Sequence, residues 1–383
     1  MRKFATIIFL NNYVLPEFLY KDIGSIAYSL ARYYDYQASF IYLTDDKGII
    51  KDEYYEKYVK LIPIKGYNNK FKAYCNGIGF MWNNAINYDI INCYPGGIAN
   101  VILACIAKSR NRNIKIYMKF DMNRQALSNK INSVNSWKYK IASYLYKIFD
   151  LYTVETKSYV ECLNKLKQYA GKVKYLPNGF FSDLVEIESN IKNIKKEKII
   201  LTVGRIGAEE KNTEMLIKAI QLINRDKLVG WKVLLVGTVT NEFKSWYEQE
   251  LENRPDLKDV FVITGHISNK KELYTIYAKS SVFIMTSRWE GFPLSLQEAL
   301  HFGNYSIVTD CCDAFKDVIL EGEDGFGKII PNEDAGVLKS AIEEVLENKV
   351  DYNKKGKLAG KFVDERFNWK DICRNLDQYF NKL

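Results

Sequence analysis

The sequence predicts an α/β protein with two doubly wound, parallel-sheet domains. Short apolar runs of strand length alternate with amphipathic stretches of helix length, which is the pattern of βαβ units. The length of 383 residues exceeds what one α/β core usually reaches, so two domains are expected. The turn signal Pro177-Asn178-Gly179 and a polar run at 186–198 separate two such series.

The first series begins at the N-terminus with a short apolar run that lacks a cleavage site, which favours a buried strand over a signal peptide. The predicted strands are 4–10, 38–43, 89–93, 114–120, 151–154 and 173–176. Residues 23–34 predict a helix with Asp22 as its N-cap. The Pro-Gly-Gly at 95–97 separates a strand from a helix at about 98–109.

The second series opens after the polar run. Its predicted strands are 199–203, 233–236, 260–264, 282–285 and 305–309. Its predicted helices are 215–223, 243–251, 271–278, 294–300 and 335–346, followed by an aromatic helical stretch at 362–380. The domains are therefore expected at 1–180 and 181–361, with a C-terminal helical segment at 362–383.

Charge is distributed unevenly between the two halves. Residues 1–180 hold 26 Lys and Arg against 13 Asp and Glu, a net charge of +13, whereas the remaining residues carry −4 of the total of +9. A basic half indicates an anionic partner, for which nucleic acid, anionic lipid and a lipid-linked phosphate are candidates. No recognised nucleic-acid-binding motif appears, so a non-enzymatic nucleic-acid binder is the less favoured alternative.

The remaining totals exclude several classes of protein. No apolar run reaches the about 18 residues of a membrane span. The chain has seven cysteines, an odd number, and no CxxC motif. This pattern is typical of reduced cytoplasmic thiols and not of a disulfide framework or a zinc site. No acidic motif with metal-ligand spacing is prominent, so no metal is expected.

The most informative stretch is 281–300, SVFIMTSRWEGFPLSLQEAL. An apolar strand ends in a glycine turn, and Pro293 opens a helix, where its missing N–H is not needed. A helix N-terminus favours phosphate. The carboxylates of Glu290 and Glu298, with seven residues between them, accept hydrogen bonds from hydroxyls. A site in which backbone amides bind phosphate and carboxylates bind hydroxyls suits a sugar nucleotide, and the stretch therefore predicts such a site.

This stretch resembles the Glu-x7-Glu signature of retaining glycosyltransferases of family 4, also called group 1, which have two Rossmann-like domains facing across a cleft (GT-B). The resemblance covers most of 199–346 well and 1–180 weakly. In the family the C-terminal helix crosses back to pack on the first domain, so the resemblance implies the same for 362–383. It implies that Glu298 binds the ribose hydroxyls and Glu290 the donor-sugar hydroxyls. It also implies that the backbone of four residues approaches sugar and phosphate: Gly291, Phe292, Pro293 and Leu294.

A second motif lies at the start of the second domain. Gly204 and Arg205 end an apolar strand, and Lys211 with Asn212 precedes the next helix. A glycine at a strand end lets a ligand approach, and Arg and Lys supply cations to a diphosphate. The segment resembles the family's Val-Gly-Arg…Lys-Asn, which implies that both cations hold the donor diphosphate and stabilise the leaving group without a metal.

Two further loops resemble family features. Gly265 and His266 follow a strand, as in the loop that passes the nucleobase; packing of His266 within the loop is the alternative to a ligand role. Gly24 stands where the family has paired glycines near the donor phosphate.

The acceptor side departs from the family pattern. Where many members end a strand in histidine, this chain has Lys119 and Asp121. Asp121 is therefore a candidate for orienting or deprotonating the acceptor hydroxyl, and a structural cap for the next turn is the alternative.

Residues 131–150 interleave lysines with aromatic residues. Such a helix suits an anionic membrane surface, and packing on the sheet with solvated lysines is the alternative. We therefore expect a cytoplasmic protein that meets the inner face of the membrane.

The sequence as a whole predicts a retaining, metal-independent hexosyltransferase without a cofactor. Its co-substrate is a nucleoside diphosphate sugar, with UDP favoured over GDP, and its acceptor a surface polysaccharide or lipid-linked glycan. Alternatives of the same architecture are a nucleotide-sugar epimerase and a glycan phosphorylase.

Overall fold

The structure is a computed structural model that describes residues 1–8, 16–44, 48–65, 70–94, 96–133, 137–180, 191, 194–319 and 325–383. The chain divides into two compact units, one formed by Met1–Phe181 with Trp369–Leu383 and the other by Ser182–Asn368. Pro95 and most of the polar run predicted as a linker lie outside the described residues.

The first unit is built on a parallel sheet of seven strands in the order β3-β2-β1-β4-β5-β6-β7. The strands are β1 Arg2–Ile8, β2 Tyr36–Thr44, β3 Val59–Lys65, β4 Ile90–Tyr94, β5 Lys115–Lys119, β6 Leu151–Val154 and β7 Val173–Tyr175. The helices are α1 Asp22–Tyr33, α2 Glu53–Glu56, α3 Lys70–Asn84, α4 Ile98–Arg110, α5 Arg124–Asn132, α6 Trp137–Leu145 and α7 Lys157–Asn164. The strand order reverses at β1, which opens a crevice at the carboxyl ends of β1 and β4.

The second unit repeats this plan with six described strands in the order β10-β9-β8-β11-β12-β13. The strands are β8 Ile199–Val203, β9 Lys232–Val236, β10 Phe261–Gly265, β11 Val282–Met285, β12 Tyr305–Thr309 and β13 Gly327–Ile330. The helices are α8 Thr213–Gln221, α9 Asn241–Glu252, α10 Lys270–Lys279, α11 Leu294–His301, α12 Ala314–Val318, α13 Ala335–Leu346 and α14 Tyr352–Arg366. Here the order reverses between β8 and β11.

The C-terminal helix α15, Trp369–Phe380, packs on α1 of the first unit. Its apolar side is buried, and the ring of Phe380 lies 5.4 Å from that of Tyr117 on β5. The single helical stretch predicted at 362–380 is in fact two helices, because α14 ends at Arg366 and the chain turns at Phe367 before α15 begins.

The two sheets confirm the predicted fold class of two doubly wound α/β domains. Two local predictions are wrong. Asp22 is not the N-cap of α1: Lys21 occupies that position, and the Asp22 carboxylate pairs with Lys119 instead. Pro293 is the N-cap of α11, with an extended ψ of 123°, and not a residue of the first helical turn as predicted.

Candidate active site

The second unit brings the ends of β8 and β11 together where its strand order reverses. Gly204 follows β8, and a side chain there would meet Lys211 only at ordinary contact distance. The glycine that the packing requires is Gly237, with φ of 142°, because a Cβ there would lie 1.7 Å from the carbonyl oxygen of Gly204. No sequence motif had indicated a role for Gly237.

Both predicted diphosphate-binding cations lie in this region, each beside a carboxylate. Arg205, whose side chain is 70% exposed, forms an ion pair with Glu210. Lys211 Nζ lies 2.5 Å from Glu290 Oε1, and the Ser287 hydroxyl donates a hydrogen bond to the same oxygen at 2.6 Å. The structure thus places Lys211 and Glu290 side by side.

A set of polar contacts that the sequence did not reveal fixes these two loops to each other. The backbone N–H of Arg288 donates to the Glu210 carbonyl at 2.8 Å, and its guanidinium donates to Asn212 at 3.1 Å. Thr286 donates to the Asn212 carbonyl at 2.9 Å. Asn212 adopts the left-handed conformation, φ 45°, which asparagine tolerates better than most residues. Lys211 therefore has a fixed backbone position.

The glycine turn at 290–294 leads into α11. The Sγ of Cys312 donates to the Gly291 carbonyl, and the ring of Phe292 is buried 6.0 Å from that of Phe367. These contacts keep the Phe292 side chain buried, whereas Gly291, Pro293 and Leu294 are partly exposed. Pro293 has no N–H, so of the four predicted backbone groups only those of Gly291, Phe292 and Leu294 can donate to a ligand.

Glu298 lies farther along α11, and its side chain is only 12% exposed. Lys270 Nζ, at the start of α10, lies 2.9 Å from Glu298 Oε1. The loop that precedes Lys270 contains Gly265, whose φ of 75° requires glycine, and the exposed His266. Glu298 is therefore paired with the first residue of the helix that follows the loop of the two base-binding candidates.

The two remaining candidates belong to the first unit. A Cβ on Gly24 would lie 2.2 Å from the carbonyl oxygen of Leu19, so close packing on the preceding turn already requires this glycine. Asp121 is exposed and hydrogen-bonds the half-buried Tyr94. It is not the cap of α5, because the side chain of Asn123 accepts from the Ala126 N–H at 2.8 Å.

Behind Asp121 lies a buried cluster of charged side chains. Lys119 Nζ is fully buried, 3.1 Å from Asp22 Oδ2 and 3.9 Å from Glu155 Oε2. Burial alone would lower the pKa of Lys119, but the carboxylates of Asp22, Glu155 and Asp121 outweigh it and raise that pKa, so the lysine stays charged. Burial raises the pKa of Glu155 to about 8, an effect that Lys119 only partly offsets.

Glu155 makes the stability of the protein depend on pH. Between the ordinary glutamate value of 4.5 and about 8, native Glu155 keeps a proton that the unfolded chain releases. The free energy of unfolding should therefore fall as pH rises through this window and level off above it. We expect Glu155→Gln to remove about 1–4 kcal/mol of this decline, as measured by urea unfolding from pH 4.5 to 9.

The exposed residue Glu161 on α7 provides a matched control, and Glu161→Gln should retain the wild-type dependence. An unchanged pH slope in Glu155→Gln would contradict the assignment of a protonated, buried Glu155.

Two general features complete the description. Among the described residues, no group of three or more His, Cys, Asp or Glu side chains is arranged to hold a metal ion. No helix in the described part of the chain has the length and hydrophobicity of a membrane span.

Comparison with known proteins finds a family match within the second unit. The glycosyl transferases group 1 family matches residues 185–362. An uncharacterized glycosyltransferase of Methanocaldococcus jannaschii is 24% identical over 239 residues, covering 60% of this chain and 52% of the relative. An Escherichia coli UDP-Gal:alpha-D-GlcNAc-diphosphoundecaprenol alpha-1,3-galactosyltransferase is 25% identical over 201 residues, 49% of either chain. The chain thus spans about half the length of these relatives.

Solved structures match over the whole chain. Sucrose-phosphate synthase from Thermosynechococcus elongatus has a TM-score of 0.73 and 18% identity, covering 100% of this chain and 99% of its own. Anabaena HepE, in complex with UDP and glucose, has a TM-score of 0.73 and 15% identity over 100% of both chains. At such identities the match establishes a shared fold.

Proposed function

We propose a glycosyl transfer reaction for this chain, which has the GT-B fold and whose residues 185–362 belong to the group 1 glycosyltransferases. The enzyme moves a hexosyl group from a nucleoside diphosphate sugar to an acceptor hydroxyl and retains the anomeric configuration. The bond between C1 and the diphosphate oxygen breaks, and a bond from C1 to the acceptor oxygen forms on the same face. The acceptor's proton leaves with the diphosphate.

The observation that carries this proposal is the contact between Lys211 and Glu290 at 2.5 Å, beside Arg205. A diphosphate that binds here competes with Glu290 for Lys211 and with Glu210 for Arg205. The released Glu290 carboxylate then accepts hydrogen bonds from the donor sugar, which bonds to the same diphosphate. Lys211 and Arg205 stabilise the negative charge that grows on the leaving group, so the reaction needs no metal.

The nucleotide binds along α11 and the loop after β10. We assign the ribose hydroxyls to Glu298 and the base to the backbone at Gly265 and His266. UDP is favoured over GDP, a choice supported by the UDP named for HepE and for the galactosyltransferase relative. On the acceptor side, Asp121 contacts the glycan, and Gly24 lies at the crevice of the first unit.

The acceptor is a lipid-linked glycan or a growing surface polysaccharide, met at the cytoplasmic face of the membrane. The diphosphoundecaprenol acceptor named for the Escherichia coli relative supports this class. A lipid-linked diphosphate also suits the net charge of +13 on residues 1–180.

The test combines binding with product analysis. A panel of UDP- and GDP-sugars is screened for thermal stabilisation, and the stabilising donor is incubated with octyl glycosides as soluble acceptors. We expect nucleoside diphosphate release that depends on the acceptor, and a product whose anomeric proton coupling in NMR matches that of the donor. Conversion of the donor without an acceptor would indicate an epimerase, and an inverted product would exclude retention.

The first unit also offers a surface for an anionic membrane. Large apolar side chains are exposed on α3, α4 and α6, namely Phe71, Trp82, Ile98, Ile102, Trp137, Ile141 and Tyr144. Helix α4 contacts both α3 and the short turn that follows α6, and exposed basic residues, Lys72, Arg110 and Lys140, lie on the same three helices. The amphipathic helix predicted at 131–150 is interrupted, and residues 134–136 lie outside the described part.

Removing two aromatic side chains from this surface should weaken membrane binding. Trp137 and Tyr144 are 67% and 75% exposed, so the double change to serine should leave the core intact. We expect at least about tenfold weaker sedimentation with phosphatidylglycerol vesicles, because each ring loses apolar burial in the bilayer interface. Leu222→Ser with Val229→Ser, at similarly exposed sites of the second unit, is the control. Equal binding by all three proteins would exclude this surface.

A further inference from the structure

The crevice of the first unit contains a charged cluster for which the proposed function so far has no role. Lys119 ends β5, Glu155 follows β6, and Asp22 begins α1, which follows β1. The three side chains therefore come from three separate segments at the carboxyl edge of one sheet. Open α/β sheets bind ligands outside this carboxyl edge, at the point where the strand order reverses, which here is beside β1.

The cluster is costly for the fold. The side chains of Lys119 and Glu155 are 0% exposed, and Lys119 Nζ is 3.1 Å from one carboxylate and 3.9 Å from the other. Buried ion pairs seldom stabilise a protein more than apolar residues of the same volume. Buried titratable groups with shifted pKa values are concentrated at functional sites. The position in the crevice and the chemistry of the group both favour function over stability.

The three members differ in their access to a ligand. Asp22 is the one that reaches solvent, with 11% of its side chain exposed, and Lys119 contacts it through Oδ2. The other oxygen, Oδ1, is the one that we assign to a ligand. Glu155 instead accepts a hydrogen bond from the Met122 N–H at 2.9 Å, and so holds the loop that carries Asp121.

We propose that Asp22 binds and orients the attacking hydroxyl of the acceptor, and that Lys119 and Glu155 are positioning residues for Asp22 and for the Asp121 loop. This inference rests on the proposed glycosyl transfer. In the bound acceptor, the Asp22 carboxylate accepts the hydrogen bond of this hydroxyl and so holds the hydroxyl oxygen facing C1. As the bond from C1 to the diphosphate breaks, the hydroxyl proton turns from Asp22 to the departing phosphate oxygen, which takes it while the hydroxyl oxygen bonds to C1. Asp22 therefore ends the cycle unchanged.

Asp22 and Asp121 have different roles in this proposal. The buried Lys119 fixes the position of the Asp22 carboxylate. A group that orients a reacting atom must itself be held in place. Asp121 is exposed and contacts Tyr94, which suits binding of the acceptor's remaining hydroxyls. Asp22→Asn should therefore lower kcat about 100-fold or more, whereas Asp121→Asn should chiefly raise the acceptor KM.

The positioning role of Glu155 has a signature in the pH profile. Four titratable groups face this carboxyl: Lys119, Asp121, Tyr94 and Tyr117. Asp22 pairs with the same lysine, Lys119. When Glu155 loses its proton above about pH 8, it competes with Asp22 for Lys119. The wild-type kcat should then fall between pH 7 and pH 9, and Glu155→Gln should lose this fall.

The experiment uses the full chain, the donor chosen by thermal stabilisation and an octyl glycoside acceptor. It measures kcat, the acceptor KM and the UDP affinity of wild type, Asp22→Asn, Asp121→Asn and Glu155→Gln. The control is Asp35→Asn, whose exposed carboxylate pairs with the N-terminal amine of the same unit. We expect UDP affinity within about twofold of wild type in Asp22→Asn, because the nucleotide binds the other unit, together with the loss of kcat.

Two results would overturn the inference. Wild-type kcat in Asp22→Asn would exclude Asp22 from the reaction, even if transfer itself is established. A pH 7 to pH 9 profile of kcat that is identical in wild type and Glu155→Gln would exclude the positioning role. Failure of the wild-type enzyme to turn over any donor would instead overturn the proposed function, and the inference with it. Normal UDP affinity and an unchanged circular dichroism spectrum show that an inactive variant is folded.

Discussion

Lys211→Ala should lower kcat about 100- to 1,000-fold with a much smaller change in donor KM. In the proposed reaction the lysine places a positive charge where the diphosphate becomes more negative as the sugar leaves, so its contribution is expected to be larger in the transition state than in the bound donor. The substitution also leaves Glu290, only 11% exposed, without its cationic partner beside the phosphate. The measurement is steady-state release of nucleoside diphosphate at saturating acceptor.

The matched control is Lys227→Ala, which removes a lysine of the same unit from ion pairs with Glu343 and Glu347. Wild-type kinetics are expected there. Arg205→Ala should resemble Lys211→Ala with a smaller loss, since its side chain is 70% exposed and water screens its charge. A kcat within threefold of wild type in Lys211→Ala would remove the lysine from the reaction.

Glu298→Ala should weaken the binding of UDP about 100-fold while leaving the fold intact. Two ribose hydroxyls donating to one carboxylate form charge-assisted hydrogen bonds, each of which contributes about 1.5–3 kcal/mol. The 12% exposure of the Glu298 side chain reduces competition from water. Isothermal titration of UDP into each variant gives the dissociation constant directly.

A second variant separates ligand binding from a structural role of Glu298. If the carboxylate serves only to hold Lys270, with which it pairs at 2.9 Å, then Lys270→Met should weaken UDP binding as much as Glu298→Ala does. If it binds ribose, Lys270→Met should retain UDP affinity within a few fold. Equal losses in the two variants would contradict the ribose assignment.

All strands inside the two described sheets were predicted from sequence, and so were the edge strands β7 and β10. The runs that became β4, β8 and β11 are mostly apolar, as those of central parallel strands are. The edge strands β3 and β13 were not predicted. Strand β3 mixes lysines with Pro63, which an edge strand tolerates, and β13 begins with Gly327 and Lys328. Helix α3 was missed because Gly77 and Gly79 lower its helical propensity.

The candidate site shows a similar division. Lys211, Glu290 and Glu298 were predicted because each lies within a short motif beside a strand end, and the structure places Lys211 against Glu290. Their roles stay predictions until variants are measured. The cluster of Asp22, Lys119 and Glu155 could not be predicted, since its members come from distant segments. One signal was available: Glu155 directly follows an apolar strand, at the edge where parallel sheets bind ligands.

Photolabelling with 5-azido-UDP-glucose tests the central claim most directly, because the azide reports where the base of the donor binds. The account predicts that labelling is prevented by excess UDP, is reduced in Glu298→Ala, and is recovered in the tryptic peptide 259–270, which contains Gly265 and His266. Label recovered chiefly in peptides from residues 1–180, or label that UDP does not displace, would contradict a donor site in the second unit.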